Sequence, residues 1–278
     1  MSTSTINQQD LILKGSNKPF AALYGRNAKS VIERGLLATK TSNASIMISG
    51  FVEPVLYLLS MGIGLGAIVG NVMGPDGQPM SYAAYIAPAL LAVSAMNGAI
   101  YDSTMNVFFK MNFAKLYQNM LYTSLGPLDV AIGEIFLALL RGFMYATGFT
   151  IIMWFMGLIT NPAGLLMVPA AVLIAFGFAS IGMGITSFLK TFQQLDWITF
   201  IMLPMFLFSA TFYPLSVYPE PIQWLIQAMP LWHGVELLRQ LSIGFFTPSM
   251  LVHVGYFVVM IVAGVTLTTT RLRALFLR

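Results

Sequence analysis

In this chain of 278 residues, 57% of the side chains are hydrophobic and only 9% are charged, where a soluble domain carries about 25% charge. That balance excludes a water-facing enzyme, and a single bundle uses nearly all the length, leaving no room for a second globular domain. The net charge of +4 sits where a membrane surface accounts for it better than nucleic acid does, and zero cysteine excludes disulfides and thiolate metal sites without fixing a compartment.

Residues 1–23 are polar with scattered apolar positions and read as a loosely ordered cytoplasmic N-terminus. The first 45 residues lack the apolar core and cleavage site of a signal peptide, so the first span is expected to stay in the mature protein. The next unit, 24–45, differs in character. Ala28, Val31, Ile32, Gly35 and Leu36 recur at helical spacing, with Lys29, Glu33, Arg34 and Lys40 mostly off that stripe. The pattern predicts an amphipathic helix over 24–42, lying in the membrane interface or, more plainly, serving as a solvated linker.

Between 46 and 270 lie six apolar runs, near 46–70, 81–101, 131–158, 164–189, 197–217 and 250–270. Each supplies the about 20 residues needed to cross the hydrocarbon at about 1.5 Å per residue. A basic tail, 271–278, follows. Of the 14 Lys and Arg residues, all but Arg141 and Arg239 fall in one set of loops and termini, so the positive-inside rule puts both termini in the cytoplasm. Trp154, Trp197, Trp224 and Trp232 all fall at interfaces of this topology. The expected fold is an all-α membrane protein with six transmembrane helices.

The connections differ from one another. The stretch 71–80, with its Gly and Pro, reads as an external turn. Within 102–130, Phe109, Phe113, Leu116, Tyr117 and Met120 repeat at helical spacing, opposite Lys110, Lys115, Gln118 and Asn119. An amphipathic helix there needs a cover for its aromatic face: lipid, a cytosolic partner or the bundle's own inner end. In 213–249, Tyr213-Pro214 ends the fifth run, Pro221 suits the first turn of a short helix through Met229, and Pro230 separates it from a second over 231–243. Both are too apolar for an exposed loop and too short to span, which predicts two short re-entrant external helices between spans five and six.

No Gly-Lys pair occurs, so the chain holds no P-loop and no ATP site of that kind. The pairs Gly62/Gly66 and Gly66/Gly70 predict close helix approach rather than a dinucleotide site. His233, Glu236 and His253 could suggest zinc, but Glu236 has Arg239 or Gln240 available on its own helix; no metal site is expected. Asp102 and Asp129 could suggest a magnesium-dependent membrane transferase, yet each is a lone carboxylate. Glu53, Glu134 and Arg141 form a candidate intramembrane polar network. Glu134 and Arg141 share a face but lie about 10 Å apart along the axis, so Glu53 is the expected partner of Arg141, as a structural ion pair or a polar switch.

The stretch MLYTSLGPLDVAIGE over 120–134 resembles the equivalent region of the ABC-2 type permeases, among them the nodulation lipo-oligosaccharide exporters and daunorubicin-resistance permeases. Glu53-Pro54 before a Gly-rich span is similar to their first helix. FLFSATFYP over 206–214, Pro219-Glu220-Pro221 and MPLWHGVELLR over 229–239 resemble the family's most specific signature, departing at Ala210, where the pattern often has Gly. The resemblance covers roughly 25–270. It implies a permease that pairs with a second permease copy, the same or a different chain, and with two cytoplasmic ABC ATPase subunits that carry the ATP and Mg. By the same comparison, 24–42 is the connecting helix and the aromatic helix around 108–120 the coupling helix, with Phe109, Phe113, Lys115, Leu116 and Tyr117 meeting the ATPase. The half-helices at 221–243 cap the exit, with Tyr213, Pro214, Trp232, His233, Glu236 and Arg239 as an external gate.

The function expected on these grounds is outward movement of a lipid-like, lipid-linked saccharide or amphipathic drug-like cargo. Met202, Met205, Phe206, Phe208 and Phe212 are candidates to line its path, although plain helix packing would also use such a stripe. The rival is an ion-coupled secondary transporter with three-plus-three inverted repeats. The loop lengths permit it, but matched discontinuous helices are lacking.

Overall fold

The computed structural model describes residues 27–40, 52–159 and 161–276. The expectations for 1–23, for the start of the first span at 46–51 and for the last two residues of the tail lie outside them. Five helices are long and apolar enough to cross a membrane, and a shorter apolar one runs over Phe192–Phe208.

The first helix, α1 (Ala28–Lys40), uses much of the predicted apolar stripe. Val31 is buried, Ile32 and Gly35 are half-buried, and Leu36 turns outward. The covering surface is α5 (Pro127–Phe155). A Cβ on Gly133 would stand 2.5 Å from Val31, and one on Gly35 would stand 2.1 Å from Leu137. Each helix therefore offers a glycine where the other brings a branched side chain. One carboxylate ties the two together: Asp129 accepts the Asn27 N–H and the Gly126 N–H, both at 2.9 Å. The fully buried Asp129 is thus a cap for α5 and an anchor for α1.

The next helix, α2 (Val52–Val69), contains a π-helical stretch over Leu58–Leu65. Gly62 faces Ala83 closely, while Gly64 and Gly66 face open space, so the close approach read from the glycines holds within this chain at Gly62. The loop at 71–80 is a hairpin, β1 (Asn71–Met73) against antiparallel β2 (Pro79–Ser81), with Val72 opposite Met80. Gly77 supplies a positive φ in its turn, and the Asp76 carboxylate accepts the Gln78 N–H.

The bundle's pillar is α3 (Tyr82–Asn112), started by the Ser81 hydroxyl accepting the Ala84 N–H. Sequence polarity ends this span near 101. The helix instead runs on through a π turn at Asp102–Asn106 to Asn112, about 46 Å in all. The polar residues beyond 101 continue the helix because α5 and the next spans satisfy them. The predicted separate helix at 108–120 is accordingly two pieces. Its first half is the tip of α3; Lys115, at φ 47, then breaks the chain before α4 (Leu116–Leu121).

Two later boundaries follow their local signals. After a 3-10 turn at Pro162–Leu166 comes α6 (Met167–Thr186), buried between α3, α5 and the later helices over Pro230–Ile243 and Ser249–Phe276. Next, α7 (Leu195–Phe208) stops well short of 217. The Ser209 and Thr211 hydroxyls bond back to the carbonyls of Met205 and Phe206, replacing the amides that a longer helix would use. Two short helices follow as expected, α8 (Glu220–Ala228) and α9 (Pro230–Ile243), the second closed by Gly244 at φ 73. The last, α10 (Ser249–Phe276), crosses α6 so closely that a Cβ on Gly264 would meet the Ser180 backbone at 2.5 Å.

Candidate functional site

The charges inside the bundle form a ladder between α3 and α5. Arg141 donates through Nη1 to Asp102 Oδ1 at 2.5 Å, and the Asn106 amide donates to the same oxygen at 2.7 Å. Two turns along, Lys110 Nζ meets Glu134 Oε2 at 2.6 Å. The expected partnership of Arg141 with Glu53 is not what forms, since Glu53 lies exposed on α2. The reason is register. Asp102 and Lys110 are eight residues apart on one helix, about 12 Å. Glu134 and Arg141 are seven apart on its antiparallel neighbour, about 10.5 Å, so both pairs close together. Continuing the helical pattern past 101 would have found Asp102, Asn106 and Lys110, which repeat every four residues. The π turn is held from a third side, by the Thr186 hydroxyl donating to the Ser103 carbonyl at 3.2 Å. Such turns are frequent at functional sites.

Below the ladder, at the end of the bundle that carries Lys110, Lys115 and Lys190, two rings project from the tip of α3. Phe109 and Phe113 stack with centroids 5.3 Å apart, and both are about three-fifths exposed (60% and 62%). Phe108 beneath them is buried and makes edge contacts with Phe113 and with Phe192 ahead of α7. The predicted aromatic face does not continue into α4. The left-handed Lys115 rotates the chain, so Lys115 itself is exposed, Leu116 half-buried, and Tyr117 and Met120 buried. Tyr117 faces inward instead, where burial and then the nearby Glu134 carboxylate hold its phenol well above the usual pKa.

At the opposite end, Arg239 of α9 is almost wholly buried and fully engaged. Its Nη1 meets Glu236 at 2.7 Å, its Nη2 donates to the Ala210 carbonyl at 3.0 Å, its Nε donates to the Tyr85 carbonyl at 3.4 Å, and its plane lies 3.8 Å over the Tyr85 ring. The guanidinium therefore clamps the unwound segment after α7 to the start of α3. Ala210 adopts φ 54 in that segment, a left-handed conformation that glycine adopts without strain. The position where the motif departs from its usual glycine is thus the one at which the backbone needs it. Glu236 serves this cation, and no group of three His, Cys, Asp or Glu converges as a metal site among the described residues.

Beside the clamp, His233 Nδ1 and His253 Nδ1 are 2.8 Å apart and buried, Tyr256 stacks on His233 at 4.1 Å, and Trp232 packs edge-on against both imidazoles. Trp232, His233, Glu236 and Arg239 thus occupy one face of α9, while Tyr213 is exposed and Pro214 half-buried at the end of the unwound segment. Of the predicted path residues, Met202, Met205 and Phe206 are half-buried against the bundle. Phe212 is buried edge-on to Phe206 at 5.2 Å, and Phe208 is exposed. The outward face of α7 is instead Trp197, Phe200, Ile201, Leu203 and Leu207, an apolar stripe that a bilayer or a second chain would cover.

The family model described as ABC-2 type transporter matches residues 26–243. Among curated proteins, the chain is similar to Nodulation protein J of Rhizobium leguminosarum bv. viciae. The two are 29% identical over 255 residues, covering 91% of this chain and 96% of that one. It is 30% identical over 226 residues to Nodulation protein J of Sinorhizobium fredii (strain NBRC 101917 / NGR234), covering 80% and 84%. Similarity extends to the Inner membrane transport permease YadH of Escherichia coli (strain K12), at 25% identity over 230 residues, 78% and 85%.

Proposed function

The chain belongs to the ABC-2 type transporter family, and from that premise we propose that it is the six-span permease half of an ATP-driven exporter. In this reading α7 is the fifth of the six membrane crossings, made short by its unwound end. Both termini and the Phe109/Phe113 tip are cytoplasmic, and α8 and α9 dip into the bilayer from outside. Two separate ABC ATPase subunits supply ATP binding and hydrolysis, for which this chain has no P-loop. A second permease copy completes the path. The cargo is lipid-like, a lipid-linked saccharide or an amphipathic drug-like molecule.

The observation that carries this reading is the exposed Phe109–Phe113 stack on a helix that is otherwise the most buried in the bundle. Large exposed rings on a soluble face call for a protein cover, and these sit at the end of a rigid lever. Force on the rings travels along α3, because the Asp102–Arg141 and Lys110–Glu134 pairs lock the tip of α3 to α5. At its far end α3 carries Tyr85, the residue under the Arg239 clamp. A shift of α3 therefore loads the segment after α7, where access to the path changes.

Replacing Phe113 with Asp puts a charge into the ring stack while leaving the buried helix intact. With the partner ATPase co-expressed, co-purification and ATP-dependent export should both drop at least about tenfold, the loss expected for removing a buried aromatic anchor. A variant that keeps the complex and its transport overturns the coupling role, and export driven by an ion gradient without any ATPase overturns the class.

A further inference from the structure

We infer that Arg271, near the end of α10, binds the phosphate of a phospholipid in the leaflet at that end of the bundle. Arg271 lies 22 residues after Ser249, about 33 Å along the helix. A hydrocarbon core of about 30 Å therefore puts its guanidinium at the depth of the headgroups. The guanidinium carbon lies 4.0 Å from the centre of the Phe188 ring, just past the end of α6. The ring covers the cation from one side and holds it in place.

Arg271 has no anion of its own among the described residues. The ion pairs there join Lys29 to Glu33, Lys110 to Glu134, Arg141 to Asp102 and Arg239 to Glu236. Its Nε–H is buried without an acceptor. The last carbonyls of α6, the usual acceptors for a basic side chain at a helix end, already have donors: Gly184 from the Ser187 hydroxyl, Ile185 from Phe188 N–H and Thr186 from Leu189 N–H. The buried Nε–H is closed to a ligand, so a phosphate meets the half-buried side chain at the part of its fork that remains open; a planar fork held on an aromatic ring matches a phosphate's paired oxygens. The surroundings suit acyl chains: Ile185, Phe188, Phe192 and Leu275 are exposed apolar side chains at the same end. An anion that brings its own hydrocarbon fits both the charge and the wall, which a free phosphate does not.

The test is native mass spectrometry of the full chain released from nanodiscs of phosphatidylglycerol and phosphatidylethanolamine, reading phospholipid of either kind retained per chain. Arg271→Gln should lower that occupancy about tenfold, the loss of one charge-assisted pair. Phe188→Leu, which keeps the charge and removes its support, should lower it about threefold. The exposed neighbour Arg273→Gln should change it less than about twofold. Should Arg271→Gln fail to fold, Arg271→Lys and Phe188→Leu decide the matter, each with an unchanged melting temperature in detergent as its control. Equal retention by wild type and these variants overturns the site. Displacement of the lipid by millimolar inorganic phosphate alone overturns the lipid as its ligand.

Discussion

The α3–α5 ladder makes a prediction that separates the structure from the sequence pattern. Removing Arg141 strands Asp102, whose side chain is 9% exposed and keeps only the Asn106 amide. Breaking a buried pair from one side costs about 3–5 kcal/mol. Arg141, at 23% exposure, is partly screened, which brings the expectation for Arg141→Gln down to about 2–3 kcal/mol. Asp102→Asn leaves a long cation that can turn its head outward, so it should cost about 1–2 kcal/mol. The double variant should cost much less than the sum, with a coupling energy of about 1.5–2.5 kcal/mol. Glu53→Gln, on the outer surface of α2, should stay within about 0.5 kcal/mol and show no coupling to Arg141→Gln. Reversible unfolding in mixed micelles, read by tryptophan fluorescence, measures all of these. Additive losses at Asp102 and Arg141, or coupling between Glu53 and Arg141, would refute the ladder.

Two further substitutions probe single observations. Ala210→Gly relieves the left-handed backbone at φ 54 and should stabilise the protein by about 0.5–1 kcal/mol, seen as a higher melting temperature in detergent; no gain would argue against that conformation. Asp129→Ala removes the acceptor shared by Asn27 and Gly126 and should cost about 2 kcal/mol, with faster proteolysis within α1; unchanged cleavage would argue against the anchor.

Where a boundary rests on neighbouring residues, sequence reading located it closely. Pro221 and Pro230 can only begin helices there, and Gly244 can take the left-handed cap, so α8 and α9 were legible within a residue or two. The stripe through Val31 predicted α1 because helical periodicity is local. The end of α3 was not legible by polarity alone. Asp102, Asn106 and Lys110 look like a loop until Arg141 and Glu134 are seen opposite them. The aromatic face of 109–120 was half right. Phe109 and Phe113 stand outward as expected, but the twist at Lys115 turns Tyr117 into the bundle. Ala210 and Asp129 were named for reasons that had nothing to do with the strain and the cap they carry.

Composition, apolar run length and Pro and Gly placement therefore determined that this is a helical membrane protein without a P-loop, and its motifs determined the family. Those properties depend on solvation and on backbone limits that each residue imposes by itself. Tertiary structure alone decided which carboxylate holds Arg141, where α3 ends, what Arg239 clamps and which rings remain outside. Each of these depends on the register between helices far apart in the chain, which the cost of an unpaired buried charge selects.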